Sequence, residues 1–245
     1  MTVLLLDVGN SRCKWGLWRD GQITKSGALA HEVAADPGRW RFARGAAAAH
    51  ACSVAAAETA AAIDAAIRES TGLSLSLAQV TASHAGVQCA YQDPTRLGVD
   101  RWMAVLCASR RTAEPVLVVD AGTAMTIDAV MDGDRHLGGL ILPGVKLMER
   151  TLMKRTADIR VDEPAPPMME FGASTSDAVR NGAMFALCGA VQQAAERLGY
   201  ADASACPVLM TGGDGALLAE ALGRPADYEA ALVLEGLAIY AGLAE

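Results

Sequence analysis

The sequence predicts an α/β protein built from two related halves, and three observations predict it. The run Val3-Leu4-Leu5-Leu6-Asp7-Val8-Gly9-Asn10-Ser11 returns more than a hundred residues later as Leu117-Val118-Val119-Asp120-Ala121-Gly122-Thr123-Ala124. Each copy is an apolar strand ending in Asp-x-Gly and a small hydroxyl residue. Each then leads through a second strand to an Asp-Gly pair, Asp20-Gly21 and Asp132-Gly133, a dipeptide that favours tight hairpins. After the hairpins, both halves alternate helices with further strands, the pattern of layered α/β domains.

The first half opens as a meander over residues 3–8, 12–19 and 22–29, followed by a short strand within 46–54. Residues 55–70 are alanine-rich, with Ile63 and Ile67 on one face, and predict a helix. Alternating serine and leucine predict a half-buried strand over 73–80. A loop through Tyr91-Gln92-Asp93-Pro94 precedes a helix over 99–111, with Val99, Met103, Leu106 and Cys107 on one stripe. The second half is expected to carry strands at 116–120, 124–131 and 135–141. Pro143 suits the first turn of a helix running to Lys154, and prolines 164, 166 and 167 make residues 160–169 a loop. Ser174 or Thr175 can cap a long helix to about Leu198. A strand over 207–211 ends at Gly212-Gly213-Asp214, and helices over 215–222 and 230–244 close the chain. The halves divide into domains over 1–114 and 115–245.

Composition narrows the function. With 245 residues, 52% of them hydrophobic, the chain can bury a large core. A net charge of -7 argues against nucleic acid as a partner. No run of 18 apolar residues and no basic leader are present, so no membrane partner is expected and a soluble, cytoplasmic protein is. The six cysteines form no Cys-x-x-Cys pair and suit reduced, buried thiols. The four histidines show no ligand spacing and read as surface or packing residues rather than catalytic bases.

The repeated hairpin has the chemistry of a phosphate site. A carboxylate at a strand end can organise magnesium, which keeps few protein oxygens and takes the rest from phosphate or water. Gly9 and Gly122 let a phosphate approach the backbone, and Ser11 and Thr123 can hydrogen-bond to it. No Gly-x-x-x-x-Gly-Lys-Ser/Thr loop exists; after Gly139 and Gly144 the lysine, Lys146, comes one place late. Phosphate binding must therefore rest on the paired hairpins.

Strands and helices in this order resemble two tandem ribonuclease-H-like domains, the architecture of the superfamily that holds acetate and sugar kinases, heat-shock chaperone ATPases and actin. Within it, the hairpins, the stretch Tyr91-Gln92-Asp93-Pro94-Thr95-Arg96-Leu97-Gly98-Val99-Asp100-Arg101, the run from Gly138 to Gly144, the run from Gly172 to Val179, Thr211-Gly212-Gly213-Asp214 and Leu234-Glu235-Gly236-Leu237 closely resemble type III pantothenate kinases, a family that also includes Bvg accessory factors. The resemblance implies ATP-dependent phosphorylation of pantothenate at its 4'-hydroxyl, the first step of coenzyme A synthesis. It makes Asp100 the general base and Arg101 the partner of the pantothenate carboxylate, a task suited to a planar guanidinium. Tyr91, Gly98, Val99 and Thr175 fall at further pantothenate positions, with Thr175 supplied by the other subunit of a homodimer.

On the nucleotide side, the resemblance gives Asp7 to magnesium and lines the ATP phosphates with Val8, Gly9, Asn10, Ser11, Arg12, Cys13 and Lys14. It assigns Asp120 to a potassium or ammonium ion, with Gly122 and Thr123 beside ATP. Spacing alone is also compatible with Asp100 as a helix cap and Lys14 as a solvent-facing lysine. The sequence departs from the family pattern at Ser11, where threonine is usual, and at Ser174, where asparagine is common. A sugar kinase of the same superfamily and a non-catalytic, nucleotide-binding regulator are the competing readings.

Overall fold

The computed structural model describes residues 1–156, 161, 165–200, 202–223 and 225–244. In chain order the elements are β1 (Thr2–Val8), β2 (Cys13–Arg19), β3 (Gln22–Leu29), α1 (His31–Ala34), β4 (Ala48–Ser53), α2 (Ala57–Thr71), β5 (Leu75–Leu77), β6 (Ser83–His84), β7 (Val87–Gln88) and α3 (Val99–Arg111). They continue with β8 (Val116–Ala121), β9 (Ala124–Met131), β10 (Arg135–Pro143), α4 (Val145–Arg155), α5 (Thr175–Arg197), β11 (Val208–Thr211), α6 (Gly215–Ala221), β12 (Asp227–Tyr228) and α7 (Leu232–Tyr240). Two compact units result: Met1–Arg111 with Gly133–His136 and Ala231–Glu245, and Thr112–Asp132 with Leu137–Ala230.

The first unit holds a sheet of order β3-β2-β1-β4-β5. β1 runs antiparallel to β2 and parallel to β4, and β4 is parallel to β5. In the second unit the order β10-β9-β8-β11-β12 repeats this arrangement strand for strand, with β8 antiparallel to β9 and parallel to β11, itself parallel to β12. Five strands of the second sheet, which β7 and β6 extend beyond β10, share the order of the first, and with an Asp-x-Gly strand opening each set they give the chain its tandem ribonuclease-H-like architecture. Val3 to Val8 are all buried, as expected of a central strand covered on both faces. Both Asp-Gly turns have positive φ at both residues, 51° and 82° at Asp20-Gly21 and 58° and 71° at Asp132-Gly133, the conformation that tight hairpins demand.

Each unit has its own core. In the first, Leu4, Leu6 and Val8 of β1 pack with Ile63 and Ile67 of α2 and with Trp40. Each of these large side chains contributes roughly 1.5–3 kcal/mol on burial. Trp40 comes from a 3-10 segment, Pro37–Ala43, that the sequence pattern does not announce; its indole N–H donates to the Ala34 carbonyl at 2.7 Å. In the second unit, Val119, Ile127, Leu187 and Val191 form the centre of the cluster.

Several elements differ from expectation, each for a local reason. Pro143 ends β10 rather than starting a helix; the extended Gly144 (φ -70°, ψ 168°) is the N-cap and α4 begins at Val145. The strand expected over 73–80 forms only at Leu75–Leu77, where β4 offers partners. The last helix spans Leu232–Tyr240 and packs in the first unit. α3 is buried from Arg101 to Ala108 rather than along one stripe, because it meets both α7 and β4; a helix covered all round has no solvent face to keep polar. Of the loop expected over 160–169, residues 165–168 carry no regular structure, and 160 and 162–164 lie outside the described residues. No helix among the described residues is long and apolar enough to cross a membrane.

The α3–α7 crossing is a backbone contact. A Cβ at Gly236 would lie 1.8 Å from the Met103 carbonyl oxygen, so only glycine permits this approach. At the far end of α3, Arg111 and Cys107 both donate to the Glu235 carboxylate, the latter at 3.5 Å. Gly236→Val is expected to destabilise the protein by about 3 kcal/mol, read as a lowered urea midpoint with unchanged slope. An unchanged midpoint would refute the close crossing.

Candidate functional site

The chemistry of the first unit gathers at the C-terminal end of β1. Asp7 is buried at 7% exposure, opposite Lys14 on β2 and Cys52 on β4. The Cys52 thiol donates to Asp7 Oδ1 at 3.8 Å. Burial first, and then the charges of Asp7 and Asp100, push this thiol well above its ordinary range, so it stays a neutral donor. Cys13 is driven up to about 12 by burial and by Asp7. Both thiols are therefore packing and orienting groups, not nucleophiles.

Between Val8 and Cys13 the chain closes a loop of Gly9, Asn10, Ser11 and Arg12, with Gly9 N–H donating to the Arg12 carbonyl at 3.0 Å. Asn10, Ser11 and Arg12 are exposed. The Gly9 carbonyl is fastened from outside the loop by His31 Nε2 at 3.0 Å. A magnesium ion that brings its own phosphate oxygens needs little more protein than one such strand-end carboxylate. The donor set fits that ion, and among the described residues no cluster of three or more acidic, histidine or cysteine side chains forms a dedicated metal cage.

The second group in this unit is the entrance to α3. Asp93 shapes the preceding turn by accepting from Thr95 N–H at 3.1 Å and Thr95 Oγ1 at 2.6 Å. Asp100 and Arg101 occupy the first turn of α3, where the positive end of the helix dipole favours an anion. Asp100 Oδ1 accepts from Arg101 N–H at 2.8 Å, and a Cβ at Gly98 would lie 2.6 Å from that same oxygen. Glycine at 98 thus leaves the carboxylate its place. Arg101 is 7% exposed; its guanidinium donates to the Tyr91 hydroxyl at 3.2 Å and lies 5.9 Å from the ring centroid, within cation–π range.

In the second unit, backbone contacts join three separated motifs. Gly144 N–H donates to the Thr123 carbonyl at 3.0 Å, and Asp214 N–H donates to the Ala121 carbonyl at 2.9 Å. A Cβ at Gly144 would fall 2.2 Å from the Gly122 oxygen, and one at Gly212 2.5 Å from Asp120 Oδ1. The glycine turns that follow β10 and β11 therefore lie close against the backbone of Ala121 to Thr123 and against Asp120. Three residues, Gly122 to Ala124, separate the paired Ala121 and Met125, one fewer than separate the paired Val8 and Cys13 after β1. Thr123 is exposed, and Lys146 reaches Asp214 at 3.5 Å. At the start of α5, Ser174 accepts from Asp177 N–H at 3.1 Å as the N-cap, leaving Thr175 exposed as the first helical residue.

Residues 3–197 match the family model for type III pantothenate kinase. The chain belongs to the type III pantothenate kinase family. It is 39% identical over 240 residues to the type III pantothenate kinase of Thiobacillus denitrificans, covering 96% of this chain and 94% of that relative. It is 36% identical to that of Aromatoleum aromaticum, covering 98% and 97%. Among solved structures, it resembles a Campylobacter jejuni protein named for the Baf family of transcriptional activators, at TM-score 0.59, 22% identity and 96% and 94% coverage. It also resembles a Sinorhizobium meliloti protein named for 2-dehydro-3-deoxygalactonokinase, at TM-score 0.59, 16% identity and 98% coverage of each chain. The two structures share its fold, and the kinase family supplies ATP as co-substrate together with magnesium.

For a type III pantothenate kinase, the structure brings Tyr91, Gly98, Asp100 and Arg101 into one cluster, and Val8 to Lys14 into one strand end and loop. It places Asp120, Gly122, Thr123 and Thr175 in the other unit. Three contributors escape sequence reasoning: His31 on the Gly9 carbonyl, Cys52 on the Asp7 carboxylate, and His136, which stacks on Tyr91. The β1/β4 register is the signal for Cys52; no spacing announces the two histidines.

Gly98→Ala is expected to displace the Asp100 carboxylate and lower kcat about 100-fold, the cost of a misplacement near 1 Å, with little change in melting temperature. Full activity in this variant would show that the carboxylate needs no such clearance.

Proposed function

We propose that the chain transfers the terminal phosphoryl group of ATP to the 4'-hydroxyl of pantothenate, the entry to coenzyme A, with Asp100 as general base. The observation that carries this reading is the pairing of Asp100 with a buried, Tyr91-held Arg101 on one helical turn, in a chain that matches the kinase family along its length. Arg101 binds the pantothenate carboxylate, and Gly98 and Val99 border the same turn. The acceptor oxygen forms a bond to the terminal phosphorus as the bond to the bridging oxygen of ADP breaks, and the hydroxyl proton passes to Asp100. A carboxylate at a helix N-terminus is a weak base, but phosphoryl transfer has a loose transition state and asks for orientation and late proton acceptance.

Asp7 organises magnesium, while the loop from Gly9 to Arg12, with Lys14, receives the phosphates. Magnesium, when bound, neutralises charge on the phosphate oxygens. Asp120 holds a monovalent cation, potassium or ammonium, beside Thr123, where the local positive charge is sparse. The working form is a homodimer in which Thr175 completes the partner's acceptor site. In support, Thr175 lines an apolar groove of about 440 Å³ with Met148, Leu152, Val179 and Ala183 between α4 and α5. Leu152, Phe171 and Phe185 stand exposed in the same unit, an apolar surface that suits a protein partner.

A coupled assay with ATP, magnesium and potassium is expected to show turnover with pantothenate and none with hexoses; the reverse result would favour a sugar kinase, and no turnover a regulator. Asp100→Asn should lower kcat by roughly 1000-fold while pantothenate affinity is kept; equal losses of rate and binding would make Asp100 a binding residue. Mixing inactive Asp100→Asn with inactive Thr175→Ala should restore roughly a quarter of wild-type activity, from one intact site in each mixed dimer. Failure to restore any would contradict shared sites.

A further inference from the structure

His136 has no role in the reading above, yet several contacts converge on it. It lies at the start of β10, where Arg135 pairs with Gln88 of β7, and is 2% exposed. Ala90 N–H donates to its Nδ1 at 3.5 Å. Its ring lies 12° from the plane of Tyr91 at a centroid separation of 6.3 Å, and Trp102 tilts against it at 6.3 Å. His136 therefore holds both the Tyr91 ring and the backbone just before it. Tyr91 in turn holds the Arg101 guanidinium through its hydroxyl and its ring.

We infer that His136 is a positioning residue for the acceptor: by bracing Tyr91 it fixes the Arg101 guanidinium and so favours a carboxylate-bearing acceptor over the corresponding uncharged amide. An arginine side chain has large rotational freedom, and a site that has already restricted it gives up less on binding. The gain applies only to an acceptor that uses the guanidinium. The inference rests on the assignment of Arg101 to the pantothenate carboxylate.

The test compares kcat and KM for pantothenate and for an N-alkyl pantothenamide, which keeps the reacting hydroxyl and lacks the charge. His136→Ala is expected to raise the KM for pantothenate about tenfold, equivalent to about 1.4 kcal/mol, with kcat, the KM for ATP and turnover of the amide unchanged. His136→Phe, which retains a flat ring without the Nδ1 acceptor, should show the same selective loss at smaller size, and it serves where the alanine variant does not fold. An unchanged KM for pantothenate overturns the inference, and so does a loss shared equally by the two acceptors. Arg101→Lys is measured in parallel. If the preference for pantothenate over its amide survives that change, the assignment of Arg101 fails; if Arg101→Lys abolishes the preference and the His136 variants keep it, the inference alone fails.

Discussion

The turn that carries Asp100 and Arg101 depends on how closely two helices approach. Gly236 brings the backbone of α7 against the Met103 carbonyl of α3, and Glu235 ties the C-terminal end of α3 through Arg111 and Cys107. Held in this way, α3 packs on β4, with the charge of Asp100 felt at Cys52. Buried side chains from Arg101 to Ala108 hold the helix, and Asp100 beside them is partly exposed. A helix free to slide or rotate would lose both functional groups together, because they are neighbours on one turn.

The duplicated hairpin has diverged under this frame. After β1 the turn is one residue longer, is fastened by His31, and follows an Asp7 that is buried beside Cys52. After β8 it is shorter, and the glycines at 144 and 212 let neighbouring backbone press against it. One copy exposes Asn10, Ser11 and Arg12, and the other exposes Thr123 and Ala124. The two aspartates therefore sit in unequal surroundings, Asp7 buried and Asp120 only partly so.

Much of this was legible in the sequence because the signals are local. Buried central strands read as unbroken apolar runs, Asp-Gly marked both hairpins, and the Ser174-Thr175 pair marked the start of α5, where Ser174 is the residue whose side chain bonds three residues on. The Tyr91 to Arg101 stretch was legible as a family pattern rather than as physics. Features made by long-range contact were not legible. Trp40 has an ordinary loop sequence around it, and its burial is decided by β1 and α2. His136 belongs, in sequence, to a strand more than forty residues from Tyr91, and only folding makes them neighbours. The start of α4 was misplaced because Pro143 is equally compatible with a strand end, and the Gly144 backbone contact with Thr123 settles the matter.

If Asp100 and Arg101 address the acceptor as proposed, the phosphoryl group goes to the 4'-hydroxyl of pantothenate. Phosphorus and proton NMR of the products formed from ATP and pantothenate tests it most directly. One new phosphate monoester is expected, coupled to the methylene protons of the 4'-carbon and formed in step with ADP. ADP released with inorganic phosphate alone, or a monoester that appears only when a sugar is supplied, would contradict it.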